Sequence, residues 1–232
     1  FVDPDFDFKK NPGFITLTTH NASANTINVK ALADLEEKSY SYKAQMIDNF
    51  PDRIFPVDEQ LELKVGAQVM FIKNDLSFEK NYYNGKMGVV KQLDKNEILV
   101  HFPEEDKTIE VERYEWQNIK YKVNDNSKEI EEEVLGTFTH FPLKLAWAIT
   151  VHKSQGLTFE KAALDVSRVF QPGQAYVALS RLRSLKGLVL LAPLQMNGLS
   201  NDADVMLYAK QKASEDGIKS ALQQETRNYL YH

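Results

Sequence analysis

Between Leu61 and about Thr137 the chain changes its grammar, and that change limits the folds open to it. Val65 to Ile72, Met87 to Leu93, Ile98 to Phe102 and Thr108 to Arg113 are short alternating or β-branched runs. Asn84-Gly85 and Asp94 to Asn96 stand between them as turn signals. Short strands at this spacing predict a small β-barrel. On either side the pattern is α/β. Phe14 to Thr19 reads as a strand, after which Ala24, Ile27, Ala31 and Leu35 recur at helical spacing, with Asn21 or Ser23 as the expected N-cap. Pro142 suits a first helical turn, and Leu145, Ala148, Ile149 and His152 continue that helix, with Trp147 packed within it. Ala162 to Val166 and Gly187 to Leu191 read as strands, the second apolar enough for the interior of a parallel sheet. Pro172-Gly173 opens another helix, and the tail from Asn201 is polar and helical. The simplest architecture is an α/β domain interrupted by a β-barrel insertion.

Composition removes several alternatives. With 43% hydrophobic and 11% aromatic residues in 232, the chain can bury a core, which excludes disorder as a description. No apolar run approaches the roughly 20 residues that span a bilayer, and no signal peptide is visible at Phe1. There is no cysteine, which excludes disulfides and thiolate zinc sites and fits a cytoplasmic protein. The five histidines lack H-E-x-x-H spacing, and no G-x-S-x-G elbow occurs. A chain that starts on Phe rather than Met reads as a piece of a longer protein.

The net charge of -5 argues against a nucleic-acid partner until its distribution is considered. His140 to Leu190 holds seven basic residues and two acidic ones, whereas Glu104 to Glu133 holds eleven acidic and five basic. Local field decides whether phosphates are attracted. Within the basic block, Thr150 to Gly156 gathers hydroxyls, an imidazole, an ammonium and an amide beside a glycine that permits close backbone approach. Such groups hold a nucleic-acid backbone; they also make an ordinary polar helix end. Arg181 follows an apolar helical face. Its planar donors suit a transferring phosphoryl group, and equally a solvated surface. The residues alone leave both pairs of readings open. Phe71, Tyr82, Tyr83 and Trp116 likewise suit base stacking or a barrel core.

A resemblance favours one set of readings. Ala146 to Phe159 (A-W-A-I-T-V-H-K-S-Q-G-L-T-F) and Ala175 to Arg181 (A-Y-V-A-L-S-R) resemble motifs V and VI of the PIF-type DNA helicases, relatives of RecD in superfamily 1, group B. Leu17 to Asn21 with Ile27-Asn28 resembles motif IV of that family. Leu63 to Met70 and Asn84 to Val90 resemble its inserted SH3-like 2B barrel. The resemblance implies an α/β fold: a RecA-like (P-loop NTPase-type) parallel sheet lobe interrupted by a small SH3-like β-barrel. It implies the first part of the lobe at 1–60, the barrel at 61–137, the rest of the lobe at 138–195 and a helical tail at 196–232.

By the same resemblance Arg181 is the arginine finger for the ATP γ-phosphate. Gln155, Gly156 and Thr158 face the nucleotide, Thr158 at a position where some relatives carry glutamate. Thr150, His152, Lys153 and Ser154 hold single-stranded DNA and link it to the ATP cleft. Thr19 and Asn21 touch the DNA backbone, Asn21 with a helix cap as its other reading, while Tyr176 packs in the core. The chain has no G-x-x-x-x-G-K-[ST] loop. The resemblance therefore implies that ATP and Mg2+ bind mostly to an N-terminal RecA-like lobe preceding Phe1, and that this chain alone holds neither and hydrolyses no ATP. Its expected partners are that lobe and single-stranded DNA, with no membrane, and travel is 5′ to 3′. The other functional class left open is a non-catalytic nucleic-acid-binding or regulatory module derived from such a lobe.

Overall fold

The computed structural model describes residues 2–123, 128–165, 173–193, 203–210 and 214–230. The chain begins with β1 (Ile15–Thr18) and α1 (Asn21–Ala33), followed by β2 (Tyr40–Lys43), β3 (Gln45–Asp48) and β4 (Gln60–Leu63). Four strands come next: β5 (Gln68–Phe71), β6 (Met87–Leu93), β7 (Ile98–Phe102) and β8 (Lys107–Glu110). A long hairpin follows, of β9 (Tyr114–Val123) and β10 (Ile130–His140), then the short β11 (Leu143–Leu145) and β12 (Ala148–Thr150). The chain continues through β13 (Ala162–Leu164), α2 (Gln174–Leu179), β14 (Leu188–Leu190), α3 (Ala203–Lys210) and α4 (Glu215–Leu230). Among the described residues no helix is long and apolar enough to cross a membrane.

Two sheets carry most of the core. The first is parallel, in the order β12-β1-β13-β14. Ile15, Leu17, Ala162 and Leu164 are fully buried at its centre, as their apolar sequences require. The second is antiparallel, in the order β11-β5-β6-β7-β8. Its strands alternate, so that Val69, Phe71, Val90, Ile98, Val100 and Phe102 share one core. Gly88 is needed there, because a Cβ would lie 2.4 Å from Val100 Cγ1. Two smaller sheets have the orders β3-β10-β9 and β2-β4.

The parallel sheet takes β1 from before the antiparallel sheet and its other three strands from after it. The Gln68 side chain ties the two sheets together. Its Nε2 donates to the Phe14 carbonyl at 2.9 Å and to the Ala146 carbonyl at 2.7 Å. Met70 of the antiparallel sheet packs in the core of the parallel one.

The helix expected from Pro142 to His152 is not formed. β11 pairs with β5 and β12 pairs with β1, and Trp147 lies between them. The Trp147 carbonyl and the Val151 N–H bond to β1 at Thr16 and Thr18, so neighbouring strands satisfy the groups a helix would have paired internally. The N-cap of α1 is His20, with no side-chain cap bond, rather than Asn21 or Ser23. The strand read from Ala162 ends at Leu164, and Val166 lies outside the described residues, as does Pro172. Phe71 is buried and stacks on Tyr82 at 4.1 Å, which makes it core, while Tyr83 is exposed.

Candidate nucleotide and nucleic-acid interface

β1 and β12 run parallel and in register, Thr18 opposite Thr150. Their carboxyl ends therefore open side by side, and the Val151 N–H donates to the Thr18 carbonyl at 2.9 Å. Thr19 to Asn21 and Val151 to Gly156 leave the same edge of the sheet. That edge is where ligands bind in open α/β sheets. The Thr19 hydroxyl lies 2.6 Å from His20 Nδ1, and Asn21 is the exposed first residue of α1.

The segment after β12 is a chain of turns. The N–H groups of Ser154, Gln155 and Leu157 donate to the carbonyls of Thr150, His152 and Ser154. Two of its hydroxyls serve the turns themselves. Ser154 is wholly buried and donates to the Val151 carbonyl at 2.7 Å. Thr150 is buried and its Oγ1 accepts the Lys153 N–H at 3.3 Å. His152, Lys153, Gln155 and Thr158 are exposed. Gly156 adopts φ +79°, and nothing lies within 4 Å of the place a Cβ would occupy. Its backbone is thus open to a ligand.

Arg181 is fastened to that loop. Phe159 and Leu182 form a parallel bridge, closed by the Phe159 N–H to the Arg181 carbonyl at 2.8 Å and the Arg183 N–H to the Phe159 carbonyl at 3.1 Å. The guanidinium donates from Nε to the Val177 carbonyl at 3.0 Å, from Nη1 to the Leu157 carbonyl at 3.3 Å and from Nη2 to Ser180 Oγ at 3.0 Å. All three acceptors are neutral, so among the described residues these bonds leave its charge uncompensated. Arg183, by contrast, is paired with Glu160. Tyr176, expected in the core, is 75% exposed on α2, because the short helix buries Ala175 and Ala178 instead.

A groove of about 1100 Å³ runs beside α1, β11 and β12. It brings together Asn21, Thr150, Lys153 and Gln155 from the residues read in the sequence. Thr19, His152, Ser154, Gly156, Thr158 and Arg181 lie outside its lining. Lys73, Lys144 and Trp116 line it as well. Burial lowers the Lys144 ammonium's pKa, nearby Lys153 adds to the effect, and Asp58 opposes it. Two ammonium groups in mutual repulsion are relieved by an anion. Lys73 stands 4.8 Å from the Tyr114 ring centroid and 6.0 Å from that of Trp116, joining a cation to an aromatic wall. Lys144 was visible in the sequence only as part of a basic block, and no pattern there singled out Lys73.

A parallel sheet with mixed polar loops gathered at its carboxyl edge fits a RecA-like α/β lobe. No family model matches the chain. It is 32% identical, in an alignment 270 positions long, to the ATP-dependent DNA helicase Pif1 of Psychrobacter sp. (strain PRwf-1), covering 92% of this chain and 40% of that protein. The unliganded structure of Pif1 from Bacteroides sp. superposes with a TM-score of 0.80 at 42% identity, over 88% of this chain and 46% of the other. A Bacteroides Pif1 structure in complex with ADP-AlF3 and ssDNA gives a TM-score of 0.70 at 40% identity, over 89% and 47%. The chain belongs to the PIF1-type helicases, as a region from their C-terminal part. It spans less than half the length of these relatives.

Proposed function

We propose that this chain is the second RecA-like lobe of an ATP-dependent DNA helicase. It would carry the arginine finger and the single-stranded-DNA-coupling loop for an ATP site completed by an N-terminal lobe. The observation that carries the reading is the position of Arg181: its Nη1 donates to the Leu157 carbonyl, one residue beyond the open backbone of Gly156. A phosphoryl oxygen at Gly156 would compete for that donor, and an ionised acceptor makes a bond roughly twice as strong as a neutral carbonyl. Gln155 and Thr158 would face the nucleotide from the same loop. These groups are donors and hydroxyls rather than a carboxylate set, so Mg2+ would be held by the other lobe, where it would neutralise phosphate charge. This chain alone would then turn over no ATP.

Asn21, Thr150, Lys153 and the basic wall of the groove would hold the DNA backbone, with Thr19 and His152 at its margin. Ser154 would act from within, by holding the turns in shape. Thr150 lines the groove and Gly156 ends the same loop, so DNA in the groove and phosphate at the cleft would bear on one short segment. We read 1–60 and the residues after β11 as the lobe, and the antiparallel sheet as the SH3-like barrel. The pairing of β11 with β5 favours a return to the lobe at Ala146-Trp147 over one at 138. The residues from 196 would form a helical tail, and travel would be 5′ to 3′ as in the resemblance.

The test is ATP turnover by the full-length protein, with and without single-stranded DNA, beside its Arg181→Ala variant. The expected result is DNA-stimulated turnover that falls by about 10³-fold in the variant, with DNA affinity retained. Turnover retained in the variant removes the finger assignment. An intact full-length protein that binds DNA without turnover makes the chain part of a non-catalytic binding module instead.

A further inference from the structure

A glycine far from both motifs in sequence lies against the residue that supports Arg181. The turn from Tyr83 to Lys86 closes with the Lys86 N–H on the Tyr83 carbonyl at 3.0 Å, and Gly85 adopts φ +97° within it. Side chains rarely adopt that conformation. The turn is anchored on the antiparallel sheet, where the Gly85 N–H donates to the Phe71 carbonyl at 2.8 Å and the Asn84 N–H to Asn74 Oδ1 at 2.9 Å. Gly85 itself packs on Leu157. A Cβ there would come within 2.9 Å of Leu157 Cδ2 and 3.5 Å of its Cβ and Cγ. Leu157 is buried, and its N–H is held by the Ser154 carbonyl at 3.0 Å. Its own carbonyl receives Arg181 Nη1.

We propose that Gly85 is a positioning residue for Arg181, acting through Leu157. The missing side chain lets Leu157 seat against the turn, and the seated Leu157 aims its carbonyl at the guanidinium. The antiparallel sheet thereby reaches the phosphate-facing arginine through Leu157, which with Asn84 also lines the groove. The proposal rests on reading Arg181 as the finger.

The experiment measures kcat and KM for ATP, single-stranded-DNA affinity and thermal unfolding on the full-length protein. The variants are Gly85→Ala, Leu157→Val, their combination, and Arg181→Ala. Valine lacks the Cδ2 atom that an added methyl would strike. Gly85→Ala is expected to lower kcat by about 10- to 100-fold, the range an ångström-scale misplacement produces, with KM and DNA affinity unchanged. The double variant is expected to return to the kcat of Leu157→Val alone, since residues in contact are not additive. Wild-type kcat in Gly85→Ala overturns the proposal. So does a loss that Leu157→Val fails to rescue, because backbone strain at Gly85 would then account for it. If Gly85→Ala does not unfold cooperatively, Leu157→Val alone decides: a several-fold loss in kcat at unchanged KM supports the proposal, and wild-type kcat overturns it. Turnover surviving in Arg181→Ala refutes the finger reading separately.

Discussion

Asn28 grips the Ala148 peptide at both ends: its Nδ2 donates to the Ala148 carbonyl at 2.9 Å, and the Ala148 N–H donates to its Oδ1 at 2.8 Å. β12 is the edge strand of the parallel sheet, and this side chain supplies it with a substitute neighbour. α1 is thereby fixed to the strand that leads into the Val151–Gly156 loop. Asn28→Ala leaves both groups unpaired and is expected to destabilise the chain by about 2–4 kcal/mol. Asn28→Asp keeps one acceptor and loses the donor, so it should fall between the two. Urea unfolding of the three proteins checks the order; equal midpoints would show that the clamp carries no stability.

Gln68 makes the corresponding bridge between sheets. Gln68→Glu cannot donate while ionised, and it would aim a carboxylate at the Phe14 and Ala146 carbonyls. Protonation restores one donor. The variant is therefore expected to be less stable than wild type at pH 7, and to recover part of the difference as pH falls towards 5. Gln68→Leu should show a deficit that does not change with pH. Denaturation at the two pH values separates these outcomes.

His140 is fully buried, and neither ring nitrogen meets a hydrogen-bond partner among the described residues. Its pKa is pushed down from 6.5 to about 4, first by burial and then by Arg113, with Asp58 opposing. The unfolded chain takes up this proton near pH 6.5 and the folded chain only near pH 4. The stability it contributes is complete above pH 6.5 and is lost as pH falls towards 4, by about 3 kcal/mol. His140→Phe is expected to flatten that part of the stability profile. A profile as steep as wild type would place the acid sensitivity elsewhere.

Lys144 and Lys153 address the groove. If both contact phosphates, Lys144→Ala and Lys153→Ala should each weaken single-stranded DNA binding at all sequences and lower the slope of log K against log salt by about 0.7. Fluorescence titration across a salt series measures both quantities. An unchanged slope in both variants would move the DNA off this wall.

The strands legible in the sequence were those whose apolar residues all go to one core. β13 and β14 are continuous apolar runs, β1 is a buried run of Ile15 and Leu17 alternating with threonines, and the burial of β7 alternates without interruption. The turn at Gly85 was equally plain from Asn84-Gly85. β11 and β12 were misread because Leu145, Ala148, Ile149 and His152 keep helical spacing while Leu145 belongs to one sheet, Ala148 and Ile149 to another and His152 to the turns that follow. Three-residue strands are too short to show a period of two. At the site, the chemistry of Thr150 to Gly156 was visible but its direction was not: the hydroxyl of Ser154 turns inward and that of Thr150 is taken up by Lys153. The spacing of the motif holds no sign of the Asn84-Gly85 turn resting on Leu157, since that contact joins a turn between β5 and β6 to a loop far along the chain.

The junction at Ala146-Trp147 bears on modularity. Only these two residues separate a strand of the antiparallel sheet from the edge strand of the parallel one. At about 3.5 Å per extended residue they leave almost no slack. Exchanging the antiparallel sheet for another by grafting at this side would therefore shift the register of β12 against β1, and with it the starting point of the loop. What looks in sequence like a detachable insertion is joined, on its return side, almost directly to the edge strand of the parallel sheet.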